Sequence, residues 1–190
     1  TYGTCDSDGD TLDTRLQARF RTGGVVHVAL LGWDWQRADW DGVRGAMSSP
    51  RPIDIFNPVY TGYVPQVTSL SPTEGSNRQS GIYLQDQLAL GQWRLTVGGR
   101  YDWTKDDASS ATRNPVTGAT VTQPRSVIKN EAFTGRAGVL YVFDNGLTPY
   151  ISYAESFQPS STSPLNNFDG SAFDPVTGTQ WEAGLKYQPA

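Results

Sequence analysis

Trp93-Arg94-Leu95-Thr96-Val97-Gly98-Gly99-Arg100-Tyr101-Asp102-Trp103 is the stretch that decides the fold. Its odd positions carry Trp93, Leu95, Val97, Gly99, Tyr101 and Trp103; its even positions carry Arg94, Thr96, Gly98, Arg100 and Asp102. Successive side chains of a strand point to opposite faces, so this alternation builds one apolar face and one polar face. About 10 residues is also the length a tilted strand needs to cross a bilayer. Trp93 at one end and Tyr101 with Trp103 at the other stand where amphipathic rings settle at two membrane–water interfaces.

Six further stretches repeat the pattern, which makes seven β-strands in all. Leu12, Thr14, Leu16, Ala18 and Phe20 oppose Asp13, Arg15, Gln17, Arg19 and Arg21. In Val25–Arg37, Ala29, Leu31, Trp33 and Trp35 oppose Gly32, Asp34 and Gln36. Phe133, Gly135, Ala137, Val139, Tyr141 and Phe143 oppose Thr134, Arg136 and Gly138. Ile151, Tyr153 and Phe157 oppose Tyr150, Ser152, Ala154 and Ser156; Trp181, Ala183, Leu185 and Tyr187 oppose Gln180, Glu182, Gly184, Lys186 and Gln188. Gln79–Leu90 is less regular, because Asp86 shares a face with Ile82, Leu84, Leu88 and Leu90. A carboxylate facing lipid near the midplane costs a few kcal/mol, so Asp86 is expected near an interface or at a bulge.

The connections alternate in length. Thr22-Gly23-Gly24, Leu90-Gly91-Gln92 and Asp144-Asn145-Gly146 are tight reversals, whereas roughly Asp41–Asn77, Lys105–Asn130 and Gln158–Thr179 are long polar excursions. Short turns on one side and long loops on the other mark an antiparallel transmembrane β-barrel, with periplasmic turns and extracellular loops. A soluble antiparallel sheet with one buried face also alternates, but it has no reason to keep its long loops at one end. Seven strands do not close such a barrel, and single-chain bacterial barrels use an even number. Gln188-Pro189-Ala190 reads as turn chemistry. The 190 residues are therefore expected to be a partial barrel domain, with strands missing on both sides.

Composition agrees. Charged residues are 18% and aromatics 12%, with six Trp and nine Tyr. Mean hydropathy is -0.47, the average of a lipid-facing and a water-facing set that cancel. No run approaches the roughly 18 apolar residues of a transmembrane helix. A net charge of -4 and a pI near 4.9 argue against a nucleic-acid partner. Cys5 is alone, so no disulfide closes within these residues, and both a free thiol and an upstream partner stay open.

Covalent chemistry finds few candidates. Asp6-Ser7-Asp8-Gly9-Asp10 invites a calcium reading, but Thr11 stands where the helix-loop-helix pattern needs Gly and Gln17 where it needs Glu. A solvated acidic loop is the expectation there. His27 is the single histidine, without a second His or a Cys beside it; a strand residue near the periplasmic rim is expected, with no metal or catalytic role. No base histidine stands in the loops, so no Ser-His-Asp triad assembles and no enzyme is expected. The inward Arg15, Arg19, Arg94, Arg100, Asp102, Arg136, Glu182 and Lys186 line a polar lumen that contacts a plug, or pair across strands to stay solvated; the second is the base case for any water-filled barrel, and the two are compatible. Asn114-Pro115-Val116-Thr117-Gly118 and Asp174-Pro175-Val176-Thr177-Gly178 are near-repeats, and each reads as a turn.

Several blocks carry a family resemblance. Gln79-Ser80-Gly81-Ile82-Tyr83-Leu84-Gln85-Asp86-Gln87, followed by Leu95-Thr96-Val97-Gly98-Gly99-Arg100-Tyr101-Asp102, resembles the barrel of TonB-dependent siderophore receptors of the ferrichrome (ferric hydroxamate) type. Phe133 to Tyr150, Ser152 to Pro159 and Gln180 to Tyr187 continue the resemblance in order, with Asn57-Pro58-Val59-Tyr60-Thr61 in the matching loop. It covers nearly the whole chain from about Leu12. The resemblance implies an outer-membrane barrel of roughly 22 strands. It also implies an N-terminal plug and energy coupling through the TonB system, with the plug and remaining strands lying outside these residues. The implied partners are a ferric siderophore, the TonB system through the plug, and outer-membrane lipid, with no cofactor beyond the chelated iron. The resemblance further implies aromatic residues of external loops at the ligand. Phe56, Tyr60 and Tyr63 of the first long loop are then the expected ligand-binding residues, since aromatic walls suit a compact, nearly neutral hydroxamate complex. The alternative for these rings is packing onto the barrel rim.

Rival functions remain. A catecholate receptor would favour more cations than the loops' Arg44, Arg51, Arg113 and Arg125. A passive porin needs none of these blocks, a barrel hydrolase needs a Ser-His pair, and a soluble carbohydrate-binding β-sandwich would set its Trp and Tyr on one platform.

Overall fold

The computed structural model describes residues 2–48, 54–60, 62–160, 168, 171 and 173–189. Arg51, Thr61, Ala190 and most of the third long connection lie outside the described residues. The strands are β1 (Tyr2–Thr22), β2 (Val25–Met47), β3 (Val67–Leu90), β4 (Trp93–Arg113), β5 (Thr120–Thr122), β6 (Ser126–Tyr141), β7 (Leu147–Gln158) and β8 (Val176–Tyr187). They form one antiparallel sheet in the order β1-β2-β3-β4-β6-β7-β8, with β5 pairing β4 off that path. Apart from β5, neighbours in sequence are neighbours in the sheet, the arrangement that lets tight turns join antiparallel strands. Gly23, Gly91 and Gly146 take positive φ at the three reversals.

The seven expected strands are present, and the eighth, β5, is a short return in the second long excursion. The expected boundaries were too tight. β2 continues to Met47 and β3 begins at Val67, so the first long connection is 48–66 rather than 41–77. β4 continues to Arg113 and β6 begins at Ser126. The added residues, such as Glu74-Gly75-Ser76-Asn77 and Asp106 to Thr112, are polar on both faces. A hydrogen-bonded ladder needs no apolar face where both sides are wet, so period-two hydropathy ends before the strand does. Asp6 to Asp10 likewise lie in β1 instead of the expected loop, and alternate along an extended strand. Among the described residues no cluster of His, Cys, Asp and Glu could hold a metal ion.

The two near-repeats part company. Asn114 closes a turn: its carbonyl accepts Gly118 N–H at 2.9 Å, its Oδ1 accepts Val116 N–H at 2.9 Å, and Gly118 has φ 72°. The expected turn at Asp174 to Gly178 is instead the start of β8, where Val176, Thr177 and Gly178 pair with Gln158, Phe157 and Ser156. A partner strand was available to the second copy, and the ladder overrode the local turn preference.

The chain divides into two compact units: residues 1–9, 38–77 and 106–127, and residues 10–37, 78–105 and 128–190. The second unit holds the three tight turns and the alternating strands. Its apolar face has no protein layer on it: Leu16 is 68% exposed, Leu185 63%, Leu84 58% and Val97 52%. Ile128 is the one buried hydrophobic side chain among the described residues. A sandwich would cover that face; among the described residues no second layer does, as a lipid-facing surface requires. Rings on this face gather at two levels. Near the tight turns Tyr141 packs edge-on against Trp93 and Phe143, with centroids 4.8 and 4.6 Å away. At the other end Tyr101 meets Trp103, and Tyr153 meets Trp181, each at 4.8 Å. These are the two expected belts.

Two acids interrupt the apolar face, and each has a local partner, although Asp86 Oδ1 is buried without one. Asp86 accepts from His27 Nδ1 at 2.6 Å, near the tight turns as expected, and the His27 ring stacks on Phe20 at 4.7 Å. Glu155 accepts Gly135 N–H and the Tyr153 hydroxyl, both at 2.7 Å.

Candidate functional site

In the first unit, the connection 48–66 carries Phe56, Tyr60 and Tyr63. Phe56 is 92% exposed and Tyr60 83%. The Phe56 N–H is held by Asp54 Oδ1 at 2.9 Å, which shapes the backbone and leaves the ring in solvent. Tyr63 is 42% exposed, and its hydroxyl bonds the Ser48 hydroxyl. No ring contact joins the three to one another among the described residues. The loop therefore presents aromatic surface, with one ring anchored and two free.

The same unit is acidic, and its cations are few. Arg125 Nε donates to Asp107 Oδ1 at 2.5 Å. That hydrogen bond and the attraction of the same carboxylate raise the guanidinium's pKa, so it stays charged at every physiological pH. Ser109 donates to Glu74 at 2.9 Å, and Asn77 to Asp106 at 2.6 Å. Among the described residues of this unit, no hydrogen bond pairs a nucleophile with a histidine base.

In the second unit, the polar face is a set of cross-strand pairs. Arg100 on β4 reaches over β3 to Asp34 on β2, with Nη2 2.8 Å from Oδ1 and Nη1 on Oδ2. Its Nε and Nη2 also donate to Asp102 at 2.7 to 2.9 Å. Gln79 donates to Asp102 at 3.1 Å, and Gln36 to Gln79 at 2.9 Å. Gly81 makes the crossing possible, because a Cβ there would stand 2.5 Å from Arg100 Cζ. Gly32 does the same for Tyr83, whose Cε2 would lie 2.6 Å from a Cβ. The Tyr83 hydroxyl reaches Asp13 on β1 at 3.4 Å, and the Arg100 guanidinium stands 5.7 Å from the Tyr83 ring centre. Tyr150 donates to Glu182 at 2.6 Å beneath Lys186, Arg136 bonds Gln85, and Arg94 caps the turn carbonyls of Gly91 and Trp93. Arg100, Asp102, Arg136, Glu182 and Lys186 thus pair across strands, whereas Arg94 bonds the carbonyls of its own turn. The alternation of β2 places Gly32 on the polar face, but the gap that it and Gly81 leave for Tyr83 and Arg100 carries no hydropathy signal. Nothing in the sequence singles out Ser48, because its partners Tyr63 and Gln66 stand 15 and 18 positions away.

Comparison with known proteins gives this wall its relatives. The family model described as TonB dependent receptor-like, beta-barrel, matches residues 1–190. A ferrioxamine B receptor of Salmonella typhimurium is 38% identical over 94% of this chain and 24% of its own length. The ferrichrome outer membrane transporter/phage receptor of Escherichia coli is 38% identical over 94% of this chain and 23% of its own. Among solved structures, the ferric-catecholate import receptor Fiu of Escherichia coli K12 superposes with a TM-score of 0.74 at 21% identity, over 97% of this chain and 29% of that one. At that identity the likeness speaks for the fold. The chain spans about a quarter of the length of the curated relatives it matches. Its alternating strands, paired aromatic belts and matched residues 1–190 make it a member of the TonB-dependent receptor β-barrel family of bacterial outer-membrane transport receptors.

Proposed function

We propose that the protein to which this wall belongs imports a ferric siderophore of hydroxamate type across the outer membrane. External loops bind the chelate, and a plug from another part of the polypeptide couples release inward to the TonB system. The observation that carries the reading is the 38% identity to receptors named for ferrioxamine B and for ferrichrome, both ferric hydroxamates. The loop chemistry supports it. A compact, nearly neutral complex needs aromatic walls with a few hydrogen-bond donors, and Phe56, Tyr60 and Tyr63 are exposed on one connection. A trianionic catecholate needs surplus cations, whereas Arg125 in the same unit is already bound to Asp107.

The test is tryptophan-fluorescence quenching of the full-length receptor by ferrichrome and by ferrioxamine B, with a ferric catecholate as comparison. Saturable quenching by a hydroxamate and none by the catecholate is the expected outcome, and Tyr63→Ala should weaken it about tenfold, the loss of one anchoring ring. Quenching by the catecholate alone would keep the family and overturn the substrate.

A further inference from the structure

We propose that Ser48 is the positioning residue that sets the Tyr63 ring before ligand arrives; this rests on the reading of Tyr63 as a ligand contact. Ser48 is the first residue after β2 and Gln66 the last before β3, so the two close the connection that carries the aromatic side chains. Ser48 N–H donates to the Gln66 carbonyl at 2.8 Å, and Gln66 N–H returns to Ser48 Oγ at 3.0 Å. The Gln66 side chain holds the Val64 carbonyl at 3.2 Å, and Thr68 Oγ1 donates to the Ala46 carbonyl at 3.2 Å. The Tyr63 end of the loop is thereby tied to the hairpin, and the Ser48–Tyr63 hydroxyl bond fixes the ring on that base.

A serine hydroxyl has one proton and two lone pairs. Ser48 Oγ accepts Gln66 N–H with one lone pair and still has a proton and a lone pair for the Tyr63 hydroxyl, so either oxygen can donate in that bond. In both cases the phenol oxygen is held at the base of the hairpin and keeps a further hydrogen-bonding function for a polar atom of the bound chelate. Phe56 and Tyr60, 92% and 83% exposed, have no such anchor among the described residues, and in this proposal their ordering falls to the binding step. Preorganisation of one ring removes that ordering cost, which corresponds to roughly 2- to 10-fold in affinity.

The experiment uses the full-length receptor in detergent, with ferrichrome and ferrioxamine B as probes and fluorescence quenching as the readout. Retained folding is checked by the heat-modifiable gel shift of the barrel. Ser48→Ala should weaken binding roughly 2- to 10-fold, and Ser48→Thr, which keeps the hydroxyl, should restore it. In a Tyr63→Phe background the Ser48→Ala change should have no further effect, because its target is gone. Wild-type affinity in Ser48→Ala, or an undiminished loss in the Tyr63→Phe background, overturns the assignment. Tyr63→Ala separates the two levels. If it binds as wild type, the reading of Tyr63 itself fails; if it loses binding while Ser48→Ala keeps it, only the role of Ser48 fails.

Discussion

Gly81 and Gly32 do more for the wall than their lack of a side chain suggests. Arg100 and Tyr83 each lie flat across a neighbouring strand only because the position beneath is empty. Arg100 thereby ties β4 to β2 through Asp34, while Asp102 beside it on β4 receives Gln79 from β3; the Asp102 side chain is 7% exposed and that of Arg100 30%. Gly81→Val should push the guanidinium off Asp34. Losing hydrogen bonds to a charged partner costs about 1.5–3 kcal/mol, so urea unfolding of the lipid-reconstituted receptor should shift to lower denaturant by that amount. Gly98→Ala is the comparison, since its Cβ would meet backbone and Gln85 at 3.0 Å or more without touching the Arg100 network. Equal stability of Gly81→Val and wild type would remove the network from the account.

Each strand of the second unit carries two chemically opposed faces, and that difference is measurable on neighbouring residues of β4. Val97 lies midway between Trp93 and Trp103 on the apolar face, and Thr96 beside it faces the polar side. Val97→Arg should cost about 2–4 kcal/mol in a bilayer, the midplane penalty for a lipid-facing cation. Thr96→Arg should cost well under 1 kcal/mol. Unfolding free energies in lipid vesicles decide it, and equal costs would mean that the face assignment is wrong. This alternation was legible in the sequence because lipid demands it residue by residue. What lay beyond the belts was not legible: Asp6 to Asp10, Glu74 to Asn77 and Asp106 to Thr112 form strands whose two faces are both polar. Asp174 to Gly178 misled in the other direction, since a Pro-and-Gly turn signal is local and the pairing with β7 is not. The His27–Asp86 pair escaped because the two residues are 59 positions apart, and a hydropathy window sees each alone.

The sheet as a whole ends in β1 and β8, each with one strand neighbour. Unpaired backbone is not tolerated in hydrocarbon, so both outer edges are expected to pair with further strands when the barrel closes in the membrane. The candidate site follows a different logic from the wall. Tyr63, Tyr60 and Phe56 are proposed from family resemblance and residue chemistry, and the Ser48 anchor came only from the folded hairpin. A receptor of this kind should bind outside and deliver inside only when energised. That behaviour is best measured as uptake of radioactive iron from ferrichrome and ferrioxamine B by cells whose sole hydroxamate receptor is the full-length protein. The account expects saturable uptake that stops when TonB is deleted or the proton-motive force is collapsed, with surface binding of the chelate retained. Uptake that persists without TonB would make the protein a passive pore, and neither binding nor uptake of either chelate would leave the barrel without the function assigned to it.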